Sequence, residues 1–186
     1  MISSMPSREN SLTLLHEYIE SESLQQHCMM VADAMEAYAG NNGHSDIEIL
    51  KWWTAGLLHD LDWEKYPDEH PNRAVNKILP PLGYPTDILT AIKSHAPDRT
   101  GLEPENEMDC YLFACDELSG FLNAVSLMRP NGFSDMKVKS VTKKLKDKRF
   151  AANVPREDIM KGVEYIGMEL KDHILFLIDV FKKSNY

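Results

Sequence analysis

The sequence predicts an all-α protein folded as a single-domain helical bundle. Apolar residues recur with helical periodicity along almost the whole chain, and sustained strand alternation is absent. The 186 residues make one domain of ordinary size, with 43% hydrophobic and 26% charged residues. We therefore expect one domain over residues 1–186, with a core region at 12–127 and C-terminal helices at 134–183.

Caps and apolar spacing predict the first three helices. The first is short and covers residues 12–19. Ser23 and Gln26 have the spacing of a capping box that begins the second helix, which Gly40 is placed to end. Ser45 and Glu48 form a similar pair before a third helix that runs to about residue 61.

Proline and glycine divide the rest of the chain into further helices. Pro71 is suited to the first position of the fourth helix, and the Pro80–Pro81 pair ends it. A loop is expected at 96–106, and Pro130 closes the longest helix. The remaining predicted helices cover residues 85–95, 107–129, 134–146, 156–166 and 170–181.

Charge and cysteine content restrict the partners that we expect. The net charge of −9 argues against binding a nucleic-acid polymer or an anionic membrane, because both require basic surfaces. It does not argue against a small phosphorylated substrate. The three cysteines, Cys28, Cys110 and Cys115, lack zinc-type spacing, so buried thiols in a reducing compartment are expected. No signal peptide or membrane-spanning run is recognisable, and we expect a cytoplasmic protein. The oligomeric state is left open.

An adjacent histidine and aspartate, His59 and Asp60, lie within an apolar helical run. A buried carboxylate is costly without a cation or several hydrogen-bond donors. A metal ion is one solution, since imidazole and carboxylate are both ordinary ligands. The alternatives are an Asp–His hydrogen bond or an exposed helix end, and for this dipeptide alone they are favoured.

Four more residues of the same kinds change that balance. His27 projects from the apolar face of its helix, and Asp116 lies in the middle of the longest helix. His95 continues an apolar stripe, and His70 directly precedes Pro71. Each has an ordinary structural explanation, but the set takes four of the seven histidines, which is hard to explain as unrelated core residues.

The order of these residues resembles the ligand set of the HD-domain phosphohydrolases. His27, the His59–Asp60 pair and Asp116 resemble the defining ligands of that superfamily. His70 and His95 resemble the extended set of members that bind two metals. The resemblance covers roughly residues 12–127, and nothing is carried over beyond Pro130.

The resemblance implies a role for each residue. His27, His59, Asp60 and Asp116 would hold a first metal, and Asp60 would bridge to a second one held by His70 and His95. Two divalent ions are implied, with Fe, Mn, Co, Ni and Zn not distinguished. The implied reaction is hydrolysis of a phosphate ester, in a small nucleotide-like molecule, by metal-activated water. The alternatives are a di-iron oxygenase, since that branch of the superfamily uses a similar six-ligand set, and a non-catalytic regulatory HD domain.

Substrate contacts are predicted from weaker patterns. Many relatives place a lysine after the HD pair, but this chain has a different sequence there, so Lys65 receives no role. Arg73 follows His70 by about one helical turn and is a candidate catalytic phosphate contact, or else part of a solvated surface.

Two further groups have a similarly open interpretation. Ser119 and Asn123 share a helix face with Asp116, and they would line a cavity or allow close helix packing. Lys139 and Lys143 belong to a basic segment that would attract an anionic substrate or simply be solvated.

Overall fold

The computed structural model describes residues 5–184 and 186, and the regular structure of these residues is entirely helical, which confirms the predicted fold class. Along the described residues, none of the helices is long and apolar enough to cross a membrane. The helices are α1 (Arg8–Tyr18), α2 (Glu22–Asn41), α3 (Asp46–Leu58), α4 (Thr86–Ser94), α5 (Pro97–Thr100), α6 (Glu107–Leu127), α7 (Val138–Leu145), α8 (Arg156–Tyr165) and α9 (Leu170–Ser184).

The beginning of α2 differs from the prediction. Its N-cap is Ser21, whose hydroxyl accepts the Leu24 N–H at 3.4 Å, so the predicted cap at Ser23 is wrong. The carboxylate of Glu64 accepts the N–H groups of Glu20 and Ser21 at 3.1 and 3.0 Å, which fixes the chain as it enters the helix. Gly40 also does not end the helix, which continues through Asn41.

The third helix has the predicted cap at Ser45 but ends at Leu58. His59 and Asp60 therefore lie in the turn that directly follows α3. Within the expected helix at 71–79, Ala74–Ile78 form a π-helical turn, and a 3-10 turn (Pro80–Leu82) follows the expected range. The predicted basic helix is shorter than expected, because residues 131–136 form turns before α7 begins.

Two glycines allow neighbouring helices to pack closely. A β-carbon on Gly56 of α3 would lie 2.8 Å from the Ala32 Cα of α2. A β-carbon on Gly162 of α8 would lie 2.7 Å from the Ala114 Cα of α6. The absence of these two side chains lets α2 pack against α3, and α6 against α8, at backbone-to-backbone distance.

Candidate metal centre

The first ligand group consists of His27, His59 and Asp116, which come from α2, the turn after α3, and α6. The His27 Nε2 lies 3.2 Å from the His59 Nε2 and 3.0 Å from the Asp116 Oδ1. The His59 Nε2 is 3.4 Å from the same carboxylate oxygen. Three separate elements thus bring two imidazole nitrogens and one oxygen to a common point.

The second group consists of Asp60, His70 and His95. The Asp60 Oδ1 lies 3.5 Å from the His70 Nε2 and 3.8 Å from the His95 Nε2. The other oxygen, Oδ2, faces the first group, at 3.4 Å from the His59 Nε2 and 3.8 Å from the His27 Nε2. Asp60 therefore presents one carboxylate oxygen to each group.

Three of the four imidazoles are oriented by hydrogen bonds on their far side. The Nδ1 of His59 donates to the Gly56 carbonyl at 2.8 Å, and the Nδ1 of His95 donates to the Ile92 carbonyl. Because a carbonyl only accepts, these bonds require a proton on Nδ1, so Nε2 is the nitrogen that faces the cluster and can bind a metal once it carries no proton. His70 is held by Asp62, with its Nδ1 2.7 Å from the Asp62 Oδ1.

The electrostatics of the cluster are those of a cation site. Burial disfavours the His59 imidazolium, but the Asp60 and Asp116 carboxylates outweigh burial and raise its pKa well above the usual value. Burial raises the pKa of both carboxylates, but their contacts with His59 and His27 outweigh it and hold each well below its ordinary value. Burial, with the nearby His59, lowers the pKa of His95 to about 4, so it is neutral and able to bind a metal.

The donor set fits a divalent metal with nitrogen and oxygen ligands. Two carboxylates and four imidazoles converge with their coordinating atoms inward, and Asp60 and Asp116 are mostly buried. The nearby Cys28 is not a ligand of this kind, because burial raises the pKa of its thiol to about 12. The six side chains therefore form two neighbouring groups whose donor atoms suit a divalent metal.

A cavity of about 340 Å³ opens on the cluster. Beyond the ligands, two cations (Arg99 and Lys161) line it, together with the aromatic rings of Trp63 and Phe113. Its other lining residues are Ala96, Pro97 and three carboxylates, those of Asp98, Glu117 and Asp158. Burial, and then the charges of Asp116 and Asp158, raise the pKa of Glu117 to about 8.

Comparison with known families matches the HD domain over residues 24–120, slightly more than half of the chain. The chain belongs to the HD-domain family. HD domains are typically metal-dependent hydrolases that bind divalent metals, although some are non-catalytic, and all six clustered residues lie within the matched region. The chain has no match among curated proteins and none among solved structures.

The HD domain does not bring Arg73 to this cavity. The Arg73 guanidinium donates to Glu69 at 3.1 Å and lies 4.3 Å from the centre of the Tyr66 ring. It lines a separate depression with Tyr18 and Lys77. Its placement agrees with the alternative interpretation, a helix-surface arginine, and not with a phosphate contact at the cluster. Lys65 also points elsewhere, since its Nζ donates to the Glu17 carbonyl at 2.6 Å.

The other predicted substrate contacts do not line the cavity either. Ser119 is fully buried, and its hydroxyl has no hydrogen-bond partner among the described residues. The Asn123 carbonyl accepts the Ser126 hydroxyl at 2.7 Å, so that bond belongs to the helix backbone. Gly120, between them, lies 3.8 Å from the His27 ring, which fits close packing against a ligand. Lys139 and Lys143 are exposed on α7.

Two cations at the cavity were missed by the sequence analysis. Arg99 lies in α5, within a segment expected to be loop, and stacks 4.8 Å from the Trp63 ring while donating to the Pro67 carbonyl at 2.8 Å. Lys161 lies in α8, beyond the region of resemblance, and pairs with Glu103 at 2.9 Å. The only signal in the sequence was the i, i+3 pair Asp158 and Lys161, which is also common on solvated helices.

Proposed function

We propose that this HD domain is a phosphohydrolase that hydrolyses the phosphate ester of a small molecule, with nucleotides among the candidates. The observation that carries the proposal is the position of Asp60, which offers one oxygen to each of two ligand groups. Two bound ions can activate water, polarise a phosphoryl oxygen and stabilise the leaving oxygen.

In this proposal the chain's own residues orient the ligands and the substrate. His27, His59 and Asp116 would hold one ion and His70 and His95 the other, with Asp60 available to both. The backbone carbonyls of Gly56 and Ile92 keep two imidazoles in the tautomer that can bind a metal. These contacts limit rearrangement of the ligands when the ions bind.

Arg99 and Lys161 replace Arg73 as the proposed contacts for the substrate phosphate. Both are cations that line the cavity, whereas Arg73 lies outside it. The carboxylates of Asp98 and Asp158 share the same walls, so the cavity suits one phosphate group better than a chain of several. A small substrate with one phosphate group is therefore favoured over a substrate with a triphosphate chain.

The test combines metal analysis with two activity assays. The protein is purified anaerobically, its metals are counted per chain, and phosphate release and oxygen uptake are measured in parallel. The substrate panel contains sugar phosphates and nucleoside mono-, di- and triphosphates. Two ions per chain with phosphate release support the proposal. Oxygen uptake without phosphate release refutes it and favours the oxygenase, and neither activity with intact metal favours a regulatory domain.

Variants of Arg99 and of the lysines on α7 distinguish direct contact with the substrate from long-range electrostatic attraction. R99Q is expected to raise KM for the best substrate at least tenfold, and R99K should recover part of the loss. The double variant K139E/K143E is the matched control, because those lysines are exposed on α7 and do not line the cavity. Any effect of the control should disappear in high salt, whereas the effect of R99Q should persist.

A further inference from the structure

Asp62 is a buried carboxylate close to the cluster but outside both ligand groups. It lies two residues after Asp60 and is wholly inaccessible to solvent. Each of its oxygens has one partner: Oδ1 is 2.7 Å from the His70 Nδ1, and Oδ2 accepts the Ala74 N–H at 2.7 Å. His70 is its only ion-pairing partner among the described residues.

Burial of the Asp62 carboxylate is unfavourable in free energy unless a positive charge lies on the far side of the His70 ring. A buried carboxylate that accepts only from neutral donors loses its hydration without full compensation. A cation on the His70 Nε2 would polarise the opposite Nδ1–H and strengthen its bond to Asp62. The His70 Nε2 faces the Asp60 Oδ1 at 3.5 Å, on the side of the ring away from Asp62.

The two ligand groups also differ in charge. The first has Asp116 together with one oxygen of Asp60, whereas the second has only the other oxygen of Asp60 and two imidazoles. The His95 Nδ1 is bonded to a neutral carbonyl, so it contributes no charge. Among the described residues, Asp62 is thus the carboxylate, in addition to Asp60, that directly contacts an imidazole of the second group.

We propose that Asp62 is a positioning residue that selectively maintains the second metal position through His70. It fixes the His70 ring, keeps its proton on Nδ1 and adds negative charge behind the ligand. Through the Ala74 N–H it also ties the ring to the start of the π-helical turn. The inference rests on the two-ion site of the proposed function, but not on the reaction catalysed there.

The test is a Zn²⁺ titration of chelator-stripped protein, which requires no substrate. Wild type should bind two equivalents. D62N removes the charge and one of the two acceptor oxygens, and it should weaken the second equivalent about 10- to 100-fold, with the first changed only a few-fold. H70A should show the same selective loss. D87N is the matched control, because Asp87 is a half-exposed carboxylate paired with Lys51 and should leave both affinities unchanged.

Two results would overturn the proposal: two ions bound to D62N with wild-type affinity, or an equal loss of both ions from a variant that still unfolds cooperatively. If D62N does not fold, wild type itself provides the test. In ¹⁵N-histidine spectra, the His70 Nδ1–H resonance should move strongly downfield on the second equivalent of Zn²⁺, and an unchanged resonance would refute the link. Zn²⁺ binding as predicted without phosphate release would preserve the role of Asp62 while the phosphohydrolase proposal failed.

Discussion

Replacement of Gly56 with alanine tests whether the contact between α2 and α3 sets the geometry of the first ligand group. The added β-carbon would lie 2.8 Å from the Ala32 Cα, 2.9 Å from the Ala32 nitrogen and 2.9 Å from the Val31 carbonyl carbon. All three are backbone atoms, so no side chain can rotate away. The two helices must separate by about 0.6 Å to reach the 3.4 Å limit of ordinary contact.

That displacement would move two of the proposed ligands. His27 belongs to α2, and the His59 ring is bonded to the Gly56 carbonyl itself. Their Nε2 atoms lie only 3.2 Å apart, so a shift of about 0.6 Å exceeds the ~0.5 Å tolerance of a preorganised metal site. We expect G56A to weaken the first Zn²⁺ equivalent at least tenfold.

Stability should fall as well, because overpacking costs about 1–3 kcal/mol, whereas the better helix propensity of alanine returns up to about 1 kcal/mol. The net loss of roughly 1–2 kcal/mol corresponds to a Tm lower by about 2–8 °C for a chain of this size. Thermal unfolding in chelator measures this change without a contribution from metal binding.

Gly40 provides the matched control, since it lies in α2 and a β-carbon there would meet no atom of the described residues within 4 Å. G40A should keep wild-type metal affinity and gain up to about 1 kcal/mol from helix propensity. If G56A binds metal as wild type does, or is as stable as G40A, the close approach of α2 and α3 does not control the site.

Two other predictions concern the shared ligand and a buried histidine. D60A should lose both ions whereas H95A should keep one, and phosphate release should collapse in both; full metal content and activity in H95A would show that His95 is a core residue. Burial lowers the pKa of His173 to about 4, and its Nε2 donates to the Ala114 carbonyl. The unfolded chain protonates this imidazole below about pH 6.5, whereas the folded chain does so only near pH 4. The free energy of unfolding should therefore fall by about 3 kcal/mol between pH 6.5 and 4. Urea unfolding of metal-free protein should show that the advantage of wild type over H173Q shrinks across this range, and a constant difference would refute it.

The six clustered residues were predictable as a set, although each alone has an ordinary structural explanation. A carboxylate in mid-helix or an imidazole on an apolar face requires a partner, and the requirement is visible before the fold is known. His27 and Asp116 are 89 residues apart, yet both lie on faces that the bundle must bury. Their meeting at 3.0 Å follows from the shared need for burial, together with the resemblance that gave the order of the ligands.

Long-range contacts explain the errors in the element boundaries. Ser21 and Ser23 are both acceptable caps for α2, and Glu64 selects the first through N–H groups that are 43 and 44 residues away in sequence. The segment after His70 is similar, because the Ala74 N–H is taken by Asp62 and the segment forms a π-helical turn. Neither partner is visible in a pattern of local spacing.

The residues that line the cavity divide into the clustered histidines and aspartates of the HD region and other residues that come partly from outside it. All six clustered residues lie within 24–120, but Asp158 and Lys161 come from α8. Helix α8 is held against α6 by the approach of Gly162 to Ala114, two residues before Asp116. An ion pair between Lys161 and Glu103 also links α8 to the loop after α5. Because the ligands are positioned by α2, by α3 and the segment that follows it, and by α4 and α6, changes in α8 can alter the outer wall while the ligands keep their hydrogen bonds. We therefore expect substrate choice to change through α8 without loss of the metals.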